Sequence, residues 1–169
     1  MLNRMNHRHS LFLVVLLGCA TIASSTGLSA ADSTSDPVVL RGTDVGKFTA
    51  SPTKDPQVVV TIDHAVGELT SLGGFTLDAG EHINLQSLEV TQGYFTITSA
   101  NGDKLMGTYK GTAHLAGIPN VIEYDVAGLI SSGTGRFEGT TGAIVFHGSG
   151  DLGQGTFKDE ILGIITTEN

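Results

Sequence analysis

Two residues of this chain invite a chemical reading before any fold is known. His64 and Asp159 each sit on the apolar face of an alternating run. A carboxylate that fixes the tautomer of an imidazole lets the free ring nitrogen act as a general base. If the two runs face each other across a cavity, these residues are the candidate catalytic pair; the competing reading is structural, with each polar group capped by hydrogen bonds near a strand end. Tyr94, Tyr109 and Tyr124 are the candidates for lining a ligand cavity, since binding pockets set a few polar points among apolar walls. The same tyrosines serve equally well as amphipathic edges of a core.

Other patterns argue against familiar chemistry. His64, His82, His114 and His147 are widely separated and lack the tight spacing of zinc ligands. Glu123 and Asp125 share a strand face, where a hard cation and plain solvent are the alternatives. Gly148-x-Gly150-x-x-Gly153 matches the letters of a dinucleotide fingerprint, but no strand-helix-strand unit surrounds it. The glycine-rich stretch 133–142 lacks the lysine and hydroxyl that end a phosphate-binding loop, and its Arg136 reads as a rim residue paired with Glu138 or another carboxylate. No cofactor and no metal are expected.

The N-terminal segment reads as an export signal. Arg4, Arg8 and two histidines precede the apolar run Leu11 to Leu17, and Ser29-Ala30-Ala31 supplies small residues for cleavage. The run is short for a membrane span, which needs about 20 apolar residues. Leu16-Leu17-Gly18-Cys19 also resembles a lipobox, so a lipoprotein signal ending before Cys19 is the alternative, with lipidation at Cys19 as the one route to a membrane. The expected organisation is a signal over 1–31, a leader or tether over 32–44, a single domain over 45–165 and a tail over 166–169. The product is exported: periplasmic, extracellular or lipid-anchored at the cell envelope. Cys19 is the only cysteine, so the domain has neither a disulfide nor a cysteine nucleophile. Of nine basic residues Arg4 and Arg8 fall in the signal, leaving seven against 17 acidic ones. That negative balance, without a basic run, opposes nucleic acid as a partner.

The elements that must position these residues read as strands. Val58, Val60, Ile62, His64 and Val66 recur with a period of two, as do Ile122, Tyr124, Val126 and Ile130, Ile144 with Phe146, and Phe157, Ile161 and Ile165 around Asp159. The first strand is expected around Val45 to Ala50. Ala79-Gly80-Glu81 reads as a turn, and Ile83 to Val90 fits a short helix or an irregular strand. A hairpin surrounds Asn101-Gly102-Asp103; a three-residue loop there puts Phe95, Ile97 and Ser99 on one face and Tyr94, Thr96 and Thr98 on the other. Phe137, within the glycine corner, is suited to plugging one end of a barrel or sandwich. Eight or so strands with regular turns give an all-β, antiparallel barrel, a β-sandwich being the alternative.

Gly133 to Gly142, with Gly93-Tyr94-Phe95-Thr96-Ile97-Thr98, Asn101-Gly102-Asp103 and Gly107-Thr108-Tyr109, resembles a group of small secreted bacterial proteins that are themselves similar to the allene oxide cyclase and dirigent barrels. The resemblance covers roughly Val45 to Ile165 in layout. It implies an eight-stranded calycin-like barrel, a small apolar ligand or an interaction role, and self-association into homo-oligomers. It also implies, as an alternative function, a cyclase, isomerase or dirigent-like enzyme acting on an apolar compound. The plant catalytic pattern does not map onto Glu138-Gly139-Thr140-Thr141-Gly142, so the resemblance bears on fold more than on activity.

Overall fold

The computed structural model describes residues 36–167; the expected signal and Cys19 lie outside them. Eight antiparallel strands follow in chain order: β1 (Val38–Pro52), β2 (Val58–Leu69), β3 (Gly73–Asn84), β4 (Glu89–Ser99), β5 (Lys104–Leu115), β6 (Val121–Gly133), β7 (Thr140–Asp151) and β8 (Thr156–Thr167). Each strand pairs with its neighbours in sequence, and β1 pairs with β8, so the sheet closes into a barrel rather than a sandwich. Closure satisfies the backbone of both edge strands and leaves no ladder open.

Period-two alternation then sorts side chains into an inner and an outer set. Leu40, Phe95, Ile97, Leu105, Ile130 and Ile144 point inward and are at most 2% exposed. β6, β7 and β8 present the faces that their alternation suggests: Val126 and Ile130, Ile144 and Phe146, and Ile161 and Ile165 are all buried, with Asp159 among the last pair.

β2 is the exception. Its inner face is Thr61, Asp63, Ala65 and Leu69, while Ile62, His64 and Val66 lie outside. Space decides this orientation. A β-carbon on Gly67 would overlap the Asp44 side chain and the Phe75 ring, so the face with the small residues fits inside the barrel. The bulkier apolar face is left to solvent.

Three further local expectations are revised. β1 starts at Val38, where Val38 pairs with Ile165, so part of the segment read as a leader belongs to the wall. Ala79-Gly80-Glu81 continues β3 in register with β2. The following turn lies beyond it, where the Asn84 Oδ1 accepts from the amides of Gln86 and Ser87 at 2.9 and 3.0 Å. Ile83 to Val90 is neither a helix nor one strand but the end of β3, this turn and the start of β4; a bulge follows between Val90 and Gly93, with Gln92 at a φ of 53°.

The β4–β5 hairpin keeps its expected faces but starts its loop one residue earlier. Phe95 pairs with Gly107 and Ile97 with Leu105. The Gly102 amide donates to the Ser99 carbonyl at 2.9 Å, and Gly102 itself takes a φ of 90°. Glycine is the residue that adopts this conformation without cost.

The glycine corner closes one end of the barrel. Its Gly135–Phe137 segment forms a single 3-10 turn that drives Phe137 into the core, where it is 6% exposed. Arg136 stacks over that ring at 4.7 Å and faces Asp103 at 3.6 Å rather than Glu138. It also donates to the Leu72 carbonyl at 3.4 Å. One arginine thereby ties together the β2–β3, β4–β5 and β6–β7 connections at the plugged end.

Candidate functional site

The other end of the barrel is open. A cavity of about 250 Å³ lies inside it, walled by Phe48, Val59, Leu77, Ile83, Val90, Ile122 and Phe157 among others. The aromatic filling stops partway along the interior. Phe95 and Phe146 meet edge to face at 5.8 Å, and Tyr109 leans on both at 6.4 and 6.2 Å. Those rings form the floor, and the space above them is unfilled.

The polar residues on this floor come from consecutive inward positions. Thr61 and Asp63 sit on β2, Glu81 on β3, Tyr109 on β5, Tyr124 on β6 and Asp159 on β8, and all six line the cavity. Glu81 accepts hydrogen bonds from the Thr61 hydroxyl on one oxygen and the Tyr109 hydroxyl on the other. The Tyr124 hydroxyl donates to Asp159 Oδ1 at 2.6 Å.

Asp44, on β1, is the direct ladder partner of Asp159 on β8. It is 3% exposed, and neither of its carboxylate oxygens meets a donor as long as it and Asp159 are both ionised. Two carboxylates cannot hydrogen-bond unless one carries a proton, and directly opposite like charges destabilise a sheet.

Glycines make room for these groups. A β-carbon on Gly148 would run into Asp159 Oδ1 and the Tyr124 hydroxyl, and one on Gly93 into the Tyr109 ring. Those two positions let a tyrosine lie flat over the wall and aim its hydroxyl at a carboxylate.

Burial raises the proton affinity of the whole group, because a carboxylate taken out of water loses its hydration. The Asp63 carboxyl is pushed up to about 9, by burial first and then by the negative charge of Glu81. Asp44 rises to about 8, by burial and then by Asp159. Asp159 rises less, to about 6, because the hydrogen bonds from Tyr124 and Asp44 favour its charged form against its burial. Both tyrosine hydroxyls are shifted upward as well, by burial and by the nearby acids. The result is an interior of weak acids and neutral phenols. Among the described residues no lysine, arginine or histidine lines the cavity.

The residues singled out in the sequence divide between the two sides of the wall. Asp159, Tyr109 and Tyr124 line the cavity, whereas Tyr94 stands outside and is 50% exposed. His64 is also outside, with its Nδ1 2.6 Å from Asp78 on the neighbouring strand. His64 and Asp159 therefore do not meet, because the inverted face of β2 turns the imidazole away from the interior. His114 pairs with Glu123 at 3.1 Å and His147 with Asp125 at 2.6 Å, both on the outer surface. The hydrogen bond that the His147 ring donates to Asp125 raises the proton affinity of His147. Among the described residues no group of three or more histidines, cysteines or acids is arranged to hold a metal ion.

Asp44, Asp63, Glu81 and Thr61 escaped the sequence reading. Their one signal was an isolated polar group alternating with alanine and glycine, a face small enough to fit a barrel interior.

No protein-family model, no curated protein and no solved structure matches the chain. The architecture stands by itself as an eight-stranded, closed antiparallel barrel consistent with the general calycin type.

The raised acids set the sign of the pH dependence of stability. Asp44, Asp63 and Asp159 hold protons more tightly folded than unfolded, where an aspartate titrates near 4. Their contribution is complete below that value and is lost as pH rises through about 6 to 9. The urea midpoint is expected to fall between pH 5 and pH 9. Asp63→Asn should flatten that fall and add on the order of 2 kcal/mol at pH 9; a midpoint that holds or rises to pH 9 contradicts the raised values.

Proposed function

We propose that this is an exported barrel that binds one small, mostly apolar molecule in the open half of its interior. The observation that carries the reading is the cavity of about 250 Å³, apolar over most of its wall and polar at a single floor. Ligand sites combine those two features, although this one lies just below the usual range of roughly 300–1,000 Å³. It therefore suits a compact ligand. The export reading rests on the basic and apolar N-terminal residues, Arg4, Arg8 and Leu11 to Leu17.

A cyclase or isomerase like the allene oxide cyclase and dirigent barrels is the second reading. What favours it is Asp63, held up to about 9 inside an apolar cavity, since an acid that stays protonated near neutrality can donate a proton to a substrate.

Self-association belongs to the same proposal. Leu129, Ala143, Ile164 and Val39 are successive ladder partners across β6, β7, β8 and β1. All four are exposed on the outer wall, Leu129 by 66% and Ile164 by 45%. A second copy of this chain is the occupant that fits such a row, because closed oligomers bury identical apolar patches against each other. Native mass spectrometry should show an oligomer that Leu129→Lys with Ile164→Lys reduces to monomer; a monomeric wild type overturns it.

Ligand binding is tested by filling the cavity. A β-carbon added at Gly150 would meet only ordinary contacts, the nearest at 3.4 Å from Ile122, and the position lines the cavity, so the ring of Gly150→Phe is expected to occupy the space. Indole at a hundred times its dissociation constant should stabilise the wild type by about 2.7 kcal/mol and leave Gly150→Phe unchanged. Indole that leaves the wild type unchanged, or stabilises both alike, counts against an internal site.

A further inference from the structure

The cavity floor gathers three acids, Asp63, Glu81 and Asp159, with hydroxyl groups between them. Its three hydroxyl donors, on Thr61, Tyr109 and Tyr124, are already committed to Glu81 and Asp159. Behind them Asp44 is buried beside Asp159 and is held toward its neutral form. Among the described residues the charged side chains at this floor are all acids, and no basic residue lines the cavity.

A buried carboxylate is stable when paired with a cation, and among the described residues none supplies one to the cavity. A small metal ion is poorly suited to the role. Hard cations need several oxygens converging on one point at about 2.0–2.6 Å, and no group of three or more acids among the described residues is arranged to hold one.

We propose that the cavity takes an organic ammonium: a primary amine, protonated at neutral pH as a lysine is, attached to a compact apolar body. The ammonium sits among Asp63, Glu81 and Asp159, its three N–H groups donating to their oxygens while its charge favours the ionised form of Asp63. The apolar body lies upward along Phe48, Ile83 and Phe157 toward the open end. A volume of about 250 Å³ equals roughly eight liquid waters, which sets the ligand at about the size of a single ring with a short chain. Anionic ligands are repelled from the same floor. This inference rests on the reading of the cavity as a ligand site and specifies what that site selects.

The experiment compares matched probes by isothermal titration calorimetry at pH 7. 2-Phenylethylamine, 2-phenylethanol and phenylacetate share one ring and differ in the charge of the head group. The amine is expected to bind at least tenfold more tightly than the alcohol, with no measurable binding of the carboxylate. Asp63→Asn and Asp159→Asn together should bring amine and alcohol to within threefold of each other. Gly150→Phe should abolish binding of both.

An alcohol that binds as tightly as the amine overturns the ammonium assignment and leaves the cavity-binding reading intact. Amine binding that survives in Gly150→Phe places the cation on the acidic outer surface and also overturns it. If no probe binds the wild type, both readings fail together. The wild-type comparison needs no variant, so the outcome does not depend on how the substituted proteins fold.

Discussion

The constraint on which this barrel depends lies at its seam. β1 and β8 must pair for the sheet to close, and closure sets Asp44 and Asp159 opposite each other on the inner wall. Two carboxyls at adjacent positions in a water-poor interior cannot both be ionised at modest cost. The chain handles this with a proton and a phenol: Asp44 is driven toward its neutral form, and Tyr124 donates to Asp159. The same solution recurs beside them, where Asp63 is kept weakly acidic next to a Glu81 that Thr61 and Tyr109 both serve. Closure and acidity are therefore one feature of the fold.

Space is the second constraint, and it divides the interior into two halves. Toward the glycine corner, Phe137, Phe75 and Phe95 fill the barrel with apolar groups. Toward the other end acids, alanine and glycine alternate with apolar wall residues such as Phe48, Ile83 and Ile122, and the close filling stops at Tyr109 and Phe146. An inward glycine at Gly93 or Gly148 removes exactly the volume that a tyrosine ring occupies. The plugged half supplies burial, and the open half keeps room for a guest molecule. An interior with only one of these characters would be either a solid core or too hydrated to hold its acids neutral.

Much of the wall was legible in the alternation of β6, β7 and β8, where large apolar residues recur on one face and charged ones on the other. The glycine corner with Phe137 as a plug was also legible, because one aromatic among many glycines has few other uses. β2 was not. Both of its faces carry β-branched residues, so hydrophobicity alone pointed Ile62 and His64 inward, and only the volume left by Asp44 and Phe75 beside Gly67 decides the matter. That single inversion removed His64 from the candidate site and brought Asp63 into it. Asp44 and Glu81 were hidden for a related reason: they lie in stretches of small and polar residues that resemble a leader and a turn, and they become strand only through pairing with partners distant in sequence.

The most direct measurement is a carbon-13 NMR titration of the side-chain carboxyls. Asp44 and Asp63 should titrate above pH 7, well above the value near 4 of an aspartate in water. If both titrate near pH 4 instead, the interior is hydrated or screened, and the barrel does not hold a buried acidic floor.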